Sequence, residues 1–226
     1  SNIGKIKFGS GSLIFQNLKM LSPIKADKFN DSGNWINLQT TQADDKTIEL
    51  QFSSRKDRAY YCVDIIHEVP KSTSVQRPEE KFIPWNWSSK VIYEKKLFHG
   101  KHYQVIRKLT EFGPSSGYCT FKKLTAQSNS LELLTDGGMQ LAVLWMINKY
   151  NNLSFLPTQV ERITVFSEPN DQAKLIGIIT VQSHSDLESI ASVQIIDERN
   201  DNLIMSIDNI KIICYDLDSS KKSNEF

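Results

Sequence analysis

Cysteine is scarce in this chain. Its 226 residues include three, Cys62, Cys119 and Cys214, far apart, with no Cys-x-x-Cys spacing and no histidine pair nearby. That spacing excludes the usual zinc frameworks and a disulfide scaffold. No structural metal is expected, and the thiols read as buried or half-buried side chains in a reducing compartment. An excess of one charge sign is missing as well. Lys and Arg number 27 against 26 Asp and Glu, a net charge of +1, which gives no electrostatic ground for binding nucleic acid or an anionic membrane. Long apolar runs are absent: none approaches the roughly 20 residues that span a bilayer. The opening Ser1-Asn2-Ile3-Gly4-Lys5 lacks the apolar core of a signal peptide. A cytoplasmic location follows as the expectation.

What remains is ordinary globular material, 39% hydrophobic and 23% charged, enough for one large domain or two small ones. Strand signals dominate. Ser12 to Leu21 has the apolar and aromatic content of a strand. Trp35-Ile36-Asn37-Leu38-Gln39-Thr40 and Thr47-Ile48-Glu49-Leu50-Gln51-Phe52 alternate with period two, and the polar turn Ala43-Asp44-Asp45-Lys46 between them predicts a hairpin. Tyr60 to Ile66, reached through Ser54-Arg55-Lys56-Asp57, extends it to an antiparallel meander. Residues 71–91 are polar and proline-punctuated, a linker by composition. Trp85 and Trp87 within it fit packing against a domain surface better than exposed rings for a ligand.

One segment is helical. Leu131 to Tyr150 carries apolar residues on nearly every face, so protein must surround it. Strands follow over 159–166, 173–182, 190–197 and 203–215, broken by Glu168-Pro169-Asn170-Asp171 and Glu198-Arg199-Asn200-Asp201-Asn202, which have turn chemistry. The charged, serine-rich end reads as a tail. The pattern predicts an α+β class: one buried helix with long antiparallel strands.

Particular residues then carry a resemblance. Phe98-His99-Gly100-Lys101-His102-Tyr103-Gln104 resembles the Tyr-Gly-Pro-x-Phe segment that opens the second hot-dog of synthase dehydratases. Leu133-Leu134-Thr135-Asp136-Gly137-Gly138-Met139-Gln140 is similar to their Asp-x-x-x-Gln motif, and Leu156-Pro157-Thr158-Gln159 to their Leu-Pro stretch. Order and spacing agree over residues 92 to 215. The family is that of the double hot-dog dehydratase domains of polyketide and polyunsaturated fatty-acid synthases. Residues 17–24 and 48–55 look like strands of its first hot-dog. Its His-x-x-x-Gly-x-x-x-x-Pro motif is not in this sequence, and Lys101 stands where the family has proline.

The resemblance implies a fold of antiparallel sheets wrapped around a central helix, with the first hot-dog (1–70) lacking its helix. Residues 71–91 would link it to the second hot-dog (92–216), followed by a flexible tail (217–226). The activity it implies is removal of water from a β-hydroxyacyl thioester, as an enzyme if a catalytic histidine lies outside the chain. Asp136 would be the acid, with Gln140, His99, Gly100, Tyr103 and Pro157 as substrate contacts. No cofactor is implied beyond the phosphopantetheine arm of an acyl carrier protein. That carrier and neighbouring synthase domains are the implied partners, and a homodimer is compatible. A non-catalytic module that holds an acyl chain, or a product-template-type cyclisation domain, would share these features.

From the residues alone, Asp136 reads equally as a helix N-cap at Thr135-Asp136-Gly137-Gly138. Gly137 and Gly138 cost a helix about 1 kcal/mol each relative to alanine, for the close approach of either an acyl chain or a strand. Tyr103 fits a core position more readily than a ligand contact, and His99 reads as a half-exposed strand residue or a polar contact at a tunnel mouth.

Overall fold

The computed structural model describes residues 13–21, 37–53, 59–67, 73–124, 130–150 and 153–215. The first hairpin forms where alternation and turn chemistry place it. Strand β2 (Asn37–Gln42) pairs with β3 (Thr47–Ser53), Gln42 opposite Ile48. The Asp44 carboxylate holds the turn by accepting from the Lys46 and Thr47 amides, both at 2.8 Å. β4 (Ala59–His67) completes the meander against β3, and β1 (Leu13–Met20) pairs with its other edge. The expected turn at 54–57 lies outside the described residues.

β1 also pairs with β8 (Phe155–Val165), Phe15 opposite Ile163. That seam makes one sheet of the two halves. The order, with every pairing antiparallel, is β2-β3-β4-β1-β8-β11-β10-β9-β7-β6-β5. The remaining strands are β5 (Ile83–Pro84), β6 (Ile106–Phe112), β7 (Ser116–Phe121), β9 (Leu175–His184), β10 (Glu188–Asp197) and β11 (Asn202–Cys214).

The apolar helix is α2 (Ser130–Lys149), and it contacts six adjacent strands, β8, β11, β10, β9, β7 and β6. Six flat strands would span about 24 Å, far more than the roughly 10 Å breadth of a helix, so the sheet curls around it. Bulges help the bend: register shifts accompany Asn17 in β1 and Asn209 in β11, both at positive φ (55° and 52°). Twelve of the helix's residues are buried, Trp145 completely, with its indole N–H donating to the Ser116 carbonyl at 3.0 Å. A helix wetted on one side would not need so apolar a surface.

The structure answers the question of the two glycines. A Cβ on Gly137 would lie 2.7 Å from the Phe121 ring and 2.8 Å from Val105, and one on Gly138 would lie 2.5 Å from Ile207 Cδ1. They bring α2 onto its own strands rather than admit a ligand. Gly137→Ala is therefore expected to cost about 1–3 kcal/mol by overpacking, despite alanine's better helix propensity. A chemical denaturation curve measures the loss, and a gain in stability would contradict the packing.

The stretch expected as a linker differs from that reading over its second half. Ile83–Pro84 pairs with β6, Ser89–Lys95 forms helix α1 capped by the Ser88 hydroxyl, and Trp85 is buried in the core. Its polar composition hid a few apolar anchors, which suffice to fix it. Residues nearer its start run along the face opposite α2, where the Gln76 amide donates to Gln194 Oε1 at 2.7 Å and Arg77 pairs with Asp201. The two weak hairpin strands β6 and β7 were not read from the sequence. In the first half, β2 is exposed throughout while Val63 and Ile65 of β4 are buried. The described residues include no helix before Ser89.

Candidate active site

Asp136 lies in the second turn of α2, six residues beyond its first residue, so it does not cap the helix. Gln140 follows one turn later on the same face. It is 2% exposed, and its amide is fully used. Nε2 donates to Asp136 Oδ2 at 2.5 Å and to the Tyr103 carbonyl at 2.8 Å, while Oε1 accepts from the Tyr93 hydroxyl at 2.7 Å. Tyr93, on α1, in turn accepts from the Ile106 amide at 2.9 Å. The network ties α1, α2, β6 and the intervening loop around one carboxylate.

That loop delivers His99. The Gln104 side chain donates to the His99 carbonyl at 3.0 Å, and the imidazole stacks on Phe98 (5.8 Å between centroids) with Tyr93 against its edge (6.5 Å). Nε2 stands 3.8 Å from Asp136 Oδ2, and both side chains are about a quarter exposed. Despite Lys101, the loop turns cleanly, as a 3-10 turn (Lys101–Tyr103) that starts at Gly100.

Burial raises the Asp136 carboxyl above its ordinary range. The Gln140 hydrogen bond and the nearby His99 oppose that rise, and Glu132 adds to it. Desolvation thus outweighs the hydrogen bond, which favours a proton-holding acid nearer neutral pH than an exposed aspartate. Burial likewise raises the Tyr93 phenol, so Tyr93 stays a neutral donor.

Of the residues singled out in the sequence, Asp136, Gln140 and His99 come together. Tyr103 joins through its main-chain carbonyl. The residue is 37% exposed, and its hydroxyl donates to Glu132 at 2.7 Å, so the core position read for it is not what the structure shows. A polar handle beside a carboxylate holds the ring outward. Gly100 is exposed, with open space where a side chain would be. Pro157 is placed elsewhere, in β8 opposite Ile212. Tyr93 was missed. A tyrosine ending the apolar run Val91-Ile92-Tyr93 was the available signal, since a buried phenol seeks a partner.

Further along α2, Val143 and Ile147 share the face of Asp136 and Gln140, all four within an arc of about 60°. There a groove of about 380 Å³ opens, lined by these two residues with Leu97, Phe98, Leu153 and Phe155 among others. Phe98, at 86% exposed, stands between the groove and His99.

The sequence matches no protein-family model and no curated protein. The fold is another matter. A curled antiparallel sheet around one helix, continued by a second strand unit, is the double hot-dog of polyketide synthase dehydratase domains, and this chain has it. The dehydratase domain of RzxB from Pseudomonas fluorescens superposes with a TM-score of 0.70 at 10% identity, over 93% of this chain and 78% of that one. A trans-AT polyketide synthase dehydratase domain from Brevibacillus brevis gives 0.71 at 11% identity, over 94% and 80%. The CurJ dehydratase, as an inactive variant with phenylalanine in place of a histidine and in complex with a small compound, gives 0.66 at 14%, over 93% and 77%. Among the described residues no helix is long and apolar enough to cross a membrane.

Proposed function

We propose that this chain is a dehydratase-like domain of a polyketide or fatty-acid synthase. Its substrate would be a β-hydroxyacyl thioester presented on the phosphopantetheine arm of an acyl carrier protein, with neighbouring synthase domains as its other partners. The observation that carries the reading is Asp136: a half-buried carboxyl, raised by desolvation and held by a buried glutamine, on the central helix of the fold. Water loss breaks C2–H and C3–O and forms the C2=C3 double bond. Asp136 would give its proton to the departing oxygen and regain one as the C2 proton is released. The apolar groove along the same helix face suits the aliphatic tail beyond C3.

A non-catalytic, acyl-holding module is the second reading, favoured by the lack of a His-x-x-x-Gly-x-x-x-x-Pro motif in this sequence. One assay separates the two: the chain incubated with 3-hydroxybutyryl and 3-hydroxydodecanoyl N-acetylcysteamine thioesters, with enoyl product followed by mass spectrometry. Turnover of either thioester supports the enzyme; tight binding without product supports the holder. For the enzyme, Leu153→Asp places a charge at the groove's exposed wall. It is expected to raise KM roughly tenfold for the dodecanoyl substrate and leave the butyryl substrate unchanged. Equal effects on both would remove the groove from the reading.

A further inference from the structure

The gap between His99 Nε2 and Asp136 Oδ2, 3.8 Å, is too wide for a direct hydrogen bond. One oxygen atom about 2.8 Å from each would bridge it. Both sides of the gap are held: Asp136 by Gln140, and His99 by the Gln104 contact to its carbonyl and by the rings of Phe98 and Tyr93.

The other imidazole nitrogen says where the ring's proton lies. Nδ1 is buried and has no hydrogen-bond partner among the described residues. A proton there would be a buried donor without an acceptor, at a cost of about 1–3 kcal/mol, whereas an underused acceptor is tolerated more readily. The neutral ring therefore carries its proton on Nε2, facing the gap and Asp136. In that tautomer His99 has no lone pair there to act as a base. It has a donor.

We infer that His99 and Asp136 form a two-donor clamp on the β-hydroxyl oxygen of the substrate, His99 giving a fixed N–H and Asp136 the proton that leaves with the water. This rests on the dehydratase-like reading above and adds the residue that recognises the leaving group. A hydroxyl oxygen has two lone pairs and can accept from both. As C3–O breaks, electron density moves onto that oxygen, so the Nε2–H bond strengthens in the transition state, the condition for a donor to accelerate a reaction.

The test compares four variants of the full chain with the unaltered protein: His99→Phe, His99→Gln, Asp136→Asn and, as a control remote from the loop, His184→Gln. Water loss is measured with the 3-hydroxybutyryl thioester. Binding is measured by calorimetry with that thioester, on the Asp136→Asn background, against its butyryl counterpart, which lacks the oxygen. Thermal melts report folding. The clamp requires His99→Phe to lose about 10²-fold in kcat, the scale of one oxyanion donor. His99→Gln, which keeps an N–H at similar reach, should stay within about tenfold of the unaltered chain. His99→Phe should also erase any tighter binding of the hydroxy thioester over the butyryl one, which a merely structural role would not do.

If His99→Gln is as impaired as His99→Phe, the ring's basicity matters rather than its N–H, and the clamp is wrong. If both retain full activity while Asp136→Asn is dead, the clamp fails and the dehydratase-like reading stands. No turnover by the unaltered chain, or none that depends on Asp136, overturns that reading and the clamp with it. Should His99→Phe not fold, His99→Gln and the paired thioesters still decide.

Discussion

Asp136→Asn is expected to lower the rate of water loss by about 10²–10⁴-fold, the usual contribution of a positioned acid, while the protein becomes more stable at neutral pH. The two effects have one cause. Burial raises this carboxyl above the reference of 3.8, so between that value and the folded one the native state binds more protons than the unfolded chain. Stability from this group is present at low pH and falls as pH rises through the window. Above it, the folded protein carries a desolvated negative charge that asparagine does not. The variant's melting temperature should exceed the unaltered protein's at neutral pH, with the difference closing toward pH 3.8. For the unaltered protein, kcat should decline as pH rises through the Asp136 titration, because the proton donor is being lost. An Asp136→Asn protein that melts lower at neutral pH would show that the carboxylate stabilises the fold, contrary to a site held under desolvation.

Gln140→Leu is the second large effect, and it falls on stability and on the site together. The side chain is nearly isosteric, but it strands the Tyr93 hydroxyl proton and removes the donor that Gln140 gives the Asp136 carboxylate, while the Tyr103 carbonyl keeps only the Val105 amide. Buried groups left without partners cost about 1–3 kcal/mol each, and relaxation will recover part. A net loss of about 1–3 kcal/mol by denaturation is the expectation. Adding Tyr93→Phe should cost less than its effect alone, because the hydroxyl it removes has already lost its acceptor. Strict additivity would mean that the hydrogen bond between them contributes nothing. Without the Gln140 bond, which lowers the Asp136 titration, the carboxyl should titrate higher still.

Much of this arrangement was legible in the residues, for identifiable reasons. The strongly alternating hairpin and the apolar run of α2 carry their periods openly, so β2, β3, β4 and α2 match the expected segments within a few residues. β6 and β7 were missed because charged residues such as Arg107, Lys108 and Glu111 sit on the hairpin's exposed side and blur the alternation. The fold itself came through motif order, since no local pattern encodes a curl around a helix. At the site, Asp136 and Gln140 came through the resemblance to the Asp-x-x-x-Gln motif, since the residues alone left a helix N-cap equally open for Asp136. The approach of His99 was not, because it depends on a loop closed by Gln104 and on tertiary packing by Tyr93. Glycine in the middle of α2 announced a close approach without saying to what. Only the positions of Phe121 and Ile207 supplied that.

The pairing of β1 with β8 has a consequence for how the molecule can evolve and be handled. From Gln159 to Thr164, one edge of β8 is paired with β11, and the other finds its partners in β1. Cut the polypeptide ahead of β5, and that rim becomes a bare, sticky border searching for another strand, the next molecule's included. The early strands therefore act as a chaperoning selvedge for the half that carries Asp136, whatever else they contribute.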